Sequence, residues 1–360
     1  MLSAGAQMEV EVMKKALCLA LSLLMAVFVF ASDEDSSLLE GPIPENEYGT
    51  IISVGREVRP QDVSTSIVVD WRECPDADVS AYAADEADLI YKHTVRTDGY
   101  RKGEPLELAM KIKYHSDALE PSPCVVIVPG GGFQTASPDS LPIAQRYFAM
   151  NGYAVAAFSY RVIGEGLYSD AAEDINDAIR YVRSNAGKYN IDPGRLAILG
   201  NSAGGYFTAL IGASQDNGAF GADSGSSFLA AVDLYGLSDL TQVAMDYDEE
   251  IQASYYDVRT APSQYVNGVF TEKTLYETPD TAAASNPLTY IDGNEPPFLI
   301  MHGSSDVIVS PSQSLLVHEA LLRAGVESTR YSLTGSGHGR PGFDSEEALS
   351  IIVDFLDAHV

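Results

Sequence analysis

The sequence predicts an α/β fold: a mostly parallel central sheet with helices on both faces and a lid-like insertion. Short apolar runs such as 124–128 and 196–199 are continuous rather than alternating, as strands buried on both faces are. Segments with helical periodicity separate these runs, and strands that alternate with helices build parallel sheets. A long tyrosine-rich stretch, 239–292, interrupts the rhythm late in the chain.

At the N-terminus, Lys14 and Lys15 precede an apolar stretch over 16–30, and Ala31 stands just ahead of the acidic run Asp33-Glu34-Asp35. A basic start, an apolar run and a small residue at the cut predict a cleaved export signal over 1–31, and so a secreted protein. A run this short spans a bilayer poorly, which disfavours an uncleaved anchor. Residues 32–87 are polar and acidic, contain Pro42 and Pro44, and read as an extension or linker. Ile67, Val68, Val69 and the single tryptophan, Trp71, fall inside it and receive no role from the sequence.

The α/β rhythm fills 88–360 as one domain. Residues 106–114 alternate like a strand. Buried strands at 124–128 and 154–160 flank a helix at 143–150. Over 168–188, Ala171, Ile175, Ala178, Ile179, Val182 and Ala186 share one face at spacings of three and four, which predicts an amphipathic helix. A strand at 196–199 runs into a helix of small residues, and further strands follow at 229–234 and 298–301. The insertion between those two, 239–292, belongs over the C-terminal edge of the sheet as a lid or substrate wall. Its Tyr247, Tyr255, Tyr256, Tyr265 and Tyr276 suit either stacking on sugar rings or packing on the core. Ser310-Pro311-Ser312-Gln313 reads as a capping box with proline at the first helical position. A last strand at 329–333 and a C-terminal amphipathic helix through Ala348, Ile351, Ile352, Phe355 and Leu356 complete the pattern.

Composition narrows the function classes. The 360 residues include 51 acidic against 22 basic side chains, a net charge of -29. That charge repels nucleic-acid phosphates and anionic lipid, so nucleic-acid binding and stable membrane association are disfavoured. A composition that is 46% hydrophobic and 20% charged excludes wholesale disorder. Three cysteines are too few for a disulfide scaffold; Cys74 and Cys124 read as separate small hydrophobes, with a bridge between them left open.

Four segments carry chemistry. Gly200-Asn201-Ser202-Ala203-Gly204 fits G-x-S-x-G between a buried strand and a helix. Such a turn exposes the serine hydroxyl and aims a helix N-terminus at a forming oxyanion, so Ser202 is the candidate nucleophile. Pro129-Gly130-Gly131-Gly132-Phe133 follows the 124–128 strand, and its free N–H groups can form an oxyanion hole. No G-K-[ST] continuation marks it as a phosphate loop. Gly131 and Gly132, with Ala203, are the candidate donors. In His302-Gly303-Ser304-Ser305-Asp306, Asp306 is the sole carboxylate and the candidate acid, while His302 reads as a packing residue at the strand end. In Gly335-Ser336-Gly337-His338-Gly339, a histidine between glycines after the last strand is the candidate general base. Chemistry of this kind requires no metal and no cofactor.

The order Ser202, Asp306, His338, each after its own strand, is the order of α/β-hydrolases. Over about 88–358 the chain resembles their secreted esterase/lipase group, which includes acetyl-xylan and feruloyl esterases and carboxylesterases. The resemblance rests on the 129–133 glycine run, Ser159-Tyr160-Arg161, the 200–205 turn, the 302–306 segment and Gly337-His338-Gly339. It implies the α/β-hydrolase fold and hydrolysis of carboxylic esters, small or polysaccharide-linked, through an acyl-enzyme. Pro129 and Asn201 depart from the lipase-like branch, where histidine and an acid are usual. Two other readings stay open. A prolyl-oligopeptidase-like peptidase would need a large N-terminal propeller, for which 1–87 is too short. A non-catalytic carbohydrate-binding protein on the same fold would be expected to lack one of the three residues.

Overall fold

The computed structural model describes residues 46–215, 218–222 and 228–360. The export signal read over 1–31, and the extension as far as 45, lie outside them. Among the described residues nine strands form one sheet: β1 (Ile67–Val69), β2 (Asp85–Val95), β3 (Pro105–Tyr114), β4 (Ser122–Val128), β5 (Ala154–Phe158), β6 (Ile191–Asn201), β7 (Ala230–Leu234), β8 (Phe298–Gly303) and β9 (Ser328–Leu333). Their spatial order is β1-β9-β8-β7-β6-β4-β5-β3-β2. From β1 to β5 every pairing is parallel, whereas β2 and β3 add antiparallel strands at the other edge.

The continuous apolar runs are explained by two cores. In β4, Cys124, Val126 and Val128 enter one core, while Val125 and Ile127 enter the other. In β5, Ala154, Ala156 and Phe158 face the first core, and Val155 and Ala157 the second. Helices α2 (Tyr168–Ser184) and α3 (Ala203–Ser214) cover the first face. Helices α1 (Pro142–Met150) and α8 (Glu346–His359) cover the second. Each residue of the 124–128 and 154–158 runs therefore lies in one core or the other, and neither face of these two strands is left to polar alternation.

Three readings change. Residues 47–87 are not a linker: they belong to one compact unit running from Glu47 to Val360. β1 extends the sheet beside β9, and Trp71 is buried with its ring stacked on Tyr331 at 5.9 Å. A three-residue strand has too little pattern to be seen in a sequence. The domain start at 88 also cuts through β2, whose half-exposed edge position hides it. Finally, the helix α7 (Ser312–Ala324) has no Ser310 capping box; its N-cap is Pro311. The Gln313 amide is buried instead, accepting from Ser238 N at 2.8 Å, and Asp246 Oδ2 accepts from Ser312 N at 2.8 Å. A distant carboxylate satisfies the helix start.

The insertion contains α4 (Glu249–Ser254), α5 (Ala261–Asn267) and α6 (Pro279–Ser285). Tyr247, Tyr255 and Tyr265 are buried and serve packing. Tyr256 and Tyr276 stay at the surface, stacked on each other at 4.1 Å. Cys74 and Cys124 are both free. Among the described residues no helix is long and apolar enough to cross a membrane.

Candidate active site

The site forms at the C-terminal ends of β4, β6, β8 and β9. Ser202 ends the β6 turn at φ 54° and ψ -122°, a conformation that costs a non-glycine residue about 1–3 kcal/mol. Its N–H donates to Leu234 O at 2.9 Å, fastening the turn to β7. The glycines around it are required by close approach: a Cβ on Gly200 would overlap Gly204 O, and one on Gly204 would overlap Val128 O. Sequence and strain thus agree on a sharp strand-to-helix turn.

Ser202, Asp306 and His338 meet. His338 Nε2 lies 2.8 Å from Ser202 Oγ, and His338 Nδ1 lies 2.7 Å from Asp306 Oδ2. The Tyr235 ring and the His338 imidazole pack in a T-shaped contact, centroids 4.9 Å apart. Gly337 N donates to Arg340 O at 2.7 Å, closing the histidine loop on itself.

Asp306 is fully buried. Its Oδ1 accepts from Ile308 N at 2.9 Å and Val309 N at 3.0 Å. Burial disfavours its charge, but His338 and His302 outweigh that and hold the carboxyl well below the usual range. His302 is a contact that the sequence did not reveal. Its Nε2 stands 3.2 Å from Asp306 Oδ2 and 3.1 Å from Val309 O. Burial pushes the His302 imidazole down, keeping it neutral. Both neighbours of Nε2 are acceptors, so Nε2 carries the proton and donates to Asp306. Nδ1 then needs no hydrogen, and it has no partner among the described residues.

The glycine loop after β4 is held by side chains of the nucleophile turn and its neighbours. Asn201 Oδ1 accepts from Gly130 N at 2.9 Å, and Asn201 Nδ2 reaches Tyr235 Oη at 3.3 Å. Tyr160 Oη donates to Pro129 O at 2.7 Å, and Ile163 N donates to Phe133 O at 2.8 Å. Arg161 is locked by a bidentate pair with Asp174, Nε to Oδ2 at 2.8 Å and Nη2 to Oδ1 at 2.9 Å, which fixes the loop after β5 on α2. Among the three expected oxyanion donors, Gly132 and Ala203 line one pocket with Ser202. Ala203 opens α3, so its N–H has no intrahelical acceptor. Gly131 is not among the residues lining that pocket; its carbonyl closes a turn with Gln134 N and Thr135 N, and Phe133 lines the pocket instead.

A serine hydroxyl bonded to an imidazole whose other nitrogen is held by a carboxylate can lose its proton as it attacks a carbonyl. N–H groups beside it can hold the oxygen that becomes negative. Among the described residues no cluster of three His, Cys, Asp or Glu side chains could hold a metal ion.

A family model described as BD-FAE matches residues 110–321. Esterase LipC of Mycobacterium tuberculosis is 27% identical over 227 residues, covering 61% of this chain and 53% of that protein. The chain spans about half the length of the curated relatives it matches. A truncated carbohydrate esterase from gut microbiota matches with a TM-score of 0.62 at 24% identity, over 75% of this chain and 96% of the other. An acetyl ester-xyloside bifunctional hydrolase from Caldicellulosiruptor lactoaceticus gives 0.57 at 22% identity, over 71% and 89%. At these identities the two structures show the fold, which is that of the α/β-hydrolases.

Proposed function

The chain belongs to the BD-FAE family, and from that premise we propose that it is a serine esterase that removes small acyl groups from carboxylic esters, including esters carried on polysaccharide. The observation that carries this reading is the continuous hydrogen-bonded line from Ser202 Oγ through His338 to Asp306, at 2.8 and 2.7 Å.

The reaction follows from that line. Ser202 Oγ bonds to the ester carbonyl carbon as its proton passes to His338 Nε2. Asp306 accepts from Nδ1 and steadies the imidazolium, while its hydrogen-bond donors keep it ionised against the cost of burial. The oxygen that becomes negative is held by the N–H groups of Ala203 and Gly132, where one such donor is worth on the order of 100-fold in rate or more. When the tetrahedral centre collapses, the bond to the alcohol oxygen breaks and His338 returns its proton to that oxygen. Water then repeats the sequence on the acyl-enzyme, His338 taking its proton, and releases the acid.

Two further observations support the substrate class. The pocket beside Ser202 is apolar and small, about 40 Å³. The structural neighbours named above are a carbohydrate esterase and an acetyl ester-xyloside bifunctional hydrolase. The basic and apolar N-terminal pattern supports export, with residues 47–360 as the catalytic unit.

The test is direct. Wild-type protein releases 4-nitrophenol from its acetate and acetate from acetylated xylan, and a fluorophosphonate probe labels Ser202. Ser202→Ala shows none of the three while remaining folded. Turnover retained in Ser202→Ala overturns the proposal.

A further inference from the structure

We propose that Ile52, on the segment ahead of the sheet, is the wall that limits acyl-chain length; this rests on the esterase reading above. The pocket beside Ser202 is built from distant parts of the chain. Gly132 and Ala203 come from the oxyanion loops and Pro262 from the insertion, and Ile51 and Ile52 come from the segment that the sequence suggested was a linker. Ile52 Cδ1 lies 2.7 Å from where a Cβ on Gly132 would stand, so its side chain rests on the oxyanion loop itself.

The segment is fastened on both sides of Ile52. Ile51 N donates to Arg259 O at 2.8 Å, and Ile51 O accepts from Ala261 N at 3.0 Å. Ser53 Oγ lies 2.6 Å from Ser254 Oγ. Gly55 N donates to Val307 O at 2.7 Å, next to Asp306. A strap tied to the insertion before Ile52 and to the acid loop after it presents the side chain at a fixed place. Ile52 is therefore a wall rather than a mobile cover.

Size and polarity decide which half of the ester enters. The pocket holds about 40 Å³, on the order of three water-sized positions. The alcohol half of a polysaccharide ester is bulky and carries hydroxyls that an apolar pocket would leave unpaired. The acyl half must enter, and the space suits an acetyl group rather than a long chain. Ile52→Ala removes the tip that touches the Gly132 loop and lengthens the pocket. Ile52→Phe fills it further.

The experiment uses the full chain and compares kcat/KM for the 4-nitrophenyl esters of acetate, butyrate and hexanoate. Wild type falls steeply from acetate to hexanoate. Ile52→Ala raises the hexanoate-to-acetate ratio about tenfold or more, the scale set by a methylene or two in an apolar pocket. Ile52→Phe lowers the butyrate-to-acetate ratio by a similar factor. The ratio is the readout because a merely structural loss lowers every ester together and leaves it unchanged. Ratios that stay within about twofold of wild type in both variants overturn the proposal while leaving the esterase reading standing. Absence of wild-type turnover on all three esters overturns the esterase reading, and this inference falls with it.

Discussion

His302 donates its Nε2 hydrogen to Asp306 at 3.2 Å, on the same carboxylate oxygen, Oδ2, that His338 reaches at 2.7 Å. A neutral, buried imidazole thus holds the acid in place from behind. Removing it leaves Asp306 one donor short and opens a cavity in the core. His302→Ala is expected to lower kcat on 4-nitrophenyl acetate about tenfold, and the lost hydrogen bond alone to lower stability by about 1–3 kcal/mol. His302→Gln, whose amide can still donate, retains most of both. Steady-state kinetics and urea melts of the two variants check this; equal losses in both would mean that His302 acts through packing alone.

Asp306 accepts from four groups and cannot itself donate when ionised. An asparagine at 306 would turn an N–H toward His338 or favour the wrong imidazole tautomer. Asp306→Asn is expected to lower kcat by on the order of 10⁴-fold with little change in fold. Labelling of Ser202 by a fluorophosphonate should slow in parallel. A loss below about tenfold would remove Asp306 from the proposed mechanism.

Asn201 joins two loops that the chain brings from 71 residues apart: its Oδ1 accepts from Gly130 N at 2.9 Å. The contact holds the glycine loop, and with it Gly132, against the nucleophile turn. Asn201→Leu removes the acceptor and is expected to lower kcat about tenfold or more, since a displaced oxyanion donor is worth more than that. Asn201→Asp keeps the acceptor and recovers most of the rate. KM should move little in either, because the donors act chiefly on the oxyanion. Identical rates in the two variants would sever the link between Asn201 and the loop.

Much of this was legible in the sequence because the signals were local. The runs 124–128, 154–158 and 196–199 inside β4, β5 and β6 are apolar at every position, as strands of a sheet covered on both faces are. The spacing of Gly200 and Gly204 reflects in part local backbone crowding, since a Cβ on Gly200 would overlap Gly204 O. What was hidden depends on long-range contacts. Ile51 and Ile52 show no periodicity, and their partners at Arg259 and Ala261 lie about 200 residues on. β1 is three residues long and takes its register from β9. The tyrosines of the insertion could not be sorted by type, since Tyr265 and Tyr256 differ only in which face the fold turns inward. His302 was visible as a residue, but its bond to Asp306 required the turn between them.

Asp233 gives stability a pH dependence separate from the site. It lies within β7, fully buried, with Oδ1 accepting from Gly236 N at 2.9 Å and Oδ2 without a partner among the described residues. Burial pushes its carboxyl up from 3.8 to about 7, against the pull of the Gly236 N–H and Arg330. The folded chain therefore holds a proton that the unfolded chain releases above about pH 4. Because the folded value is the higher one, the contribution to stability is full at low pH and is lost as pH rises from about 4 to 7. The whole change amounts to about 4 kcal/mol. Asparagine has the same shape, keeps the acceptor for Gly236 N, and does not ionise. Relative to wild type, Asp233→Asn should therefore gain several degrees in melting temperature between pH 5 and pH 8, with the gain levelling off above pH 7. Thermal melts of both proteins across that range measure it. A difference that does not change with pH would mean that Asp233 is ionised in the fold and has found a partner for Oδ2.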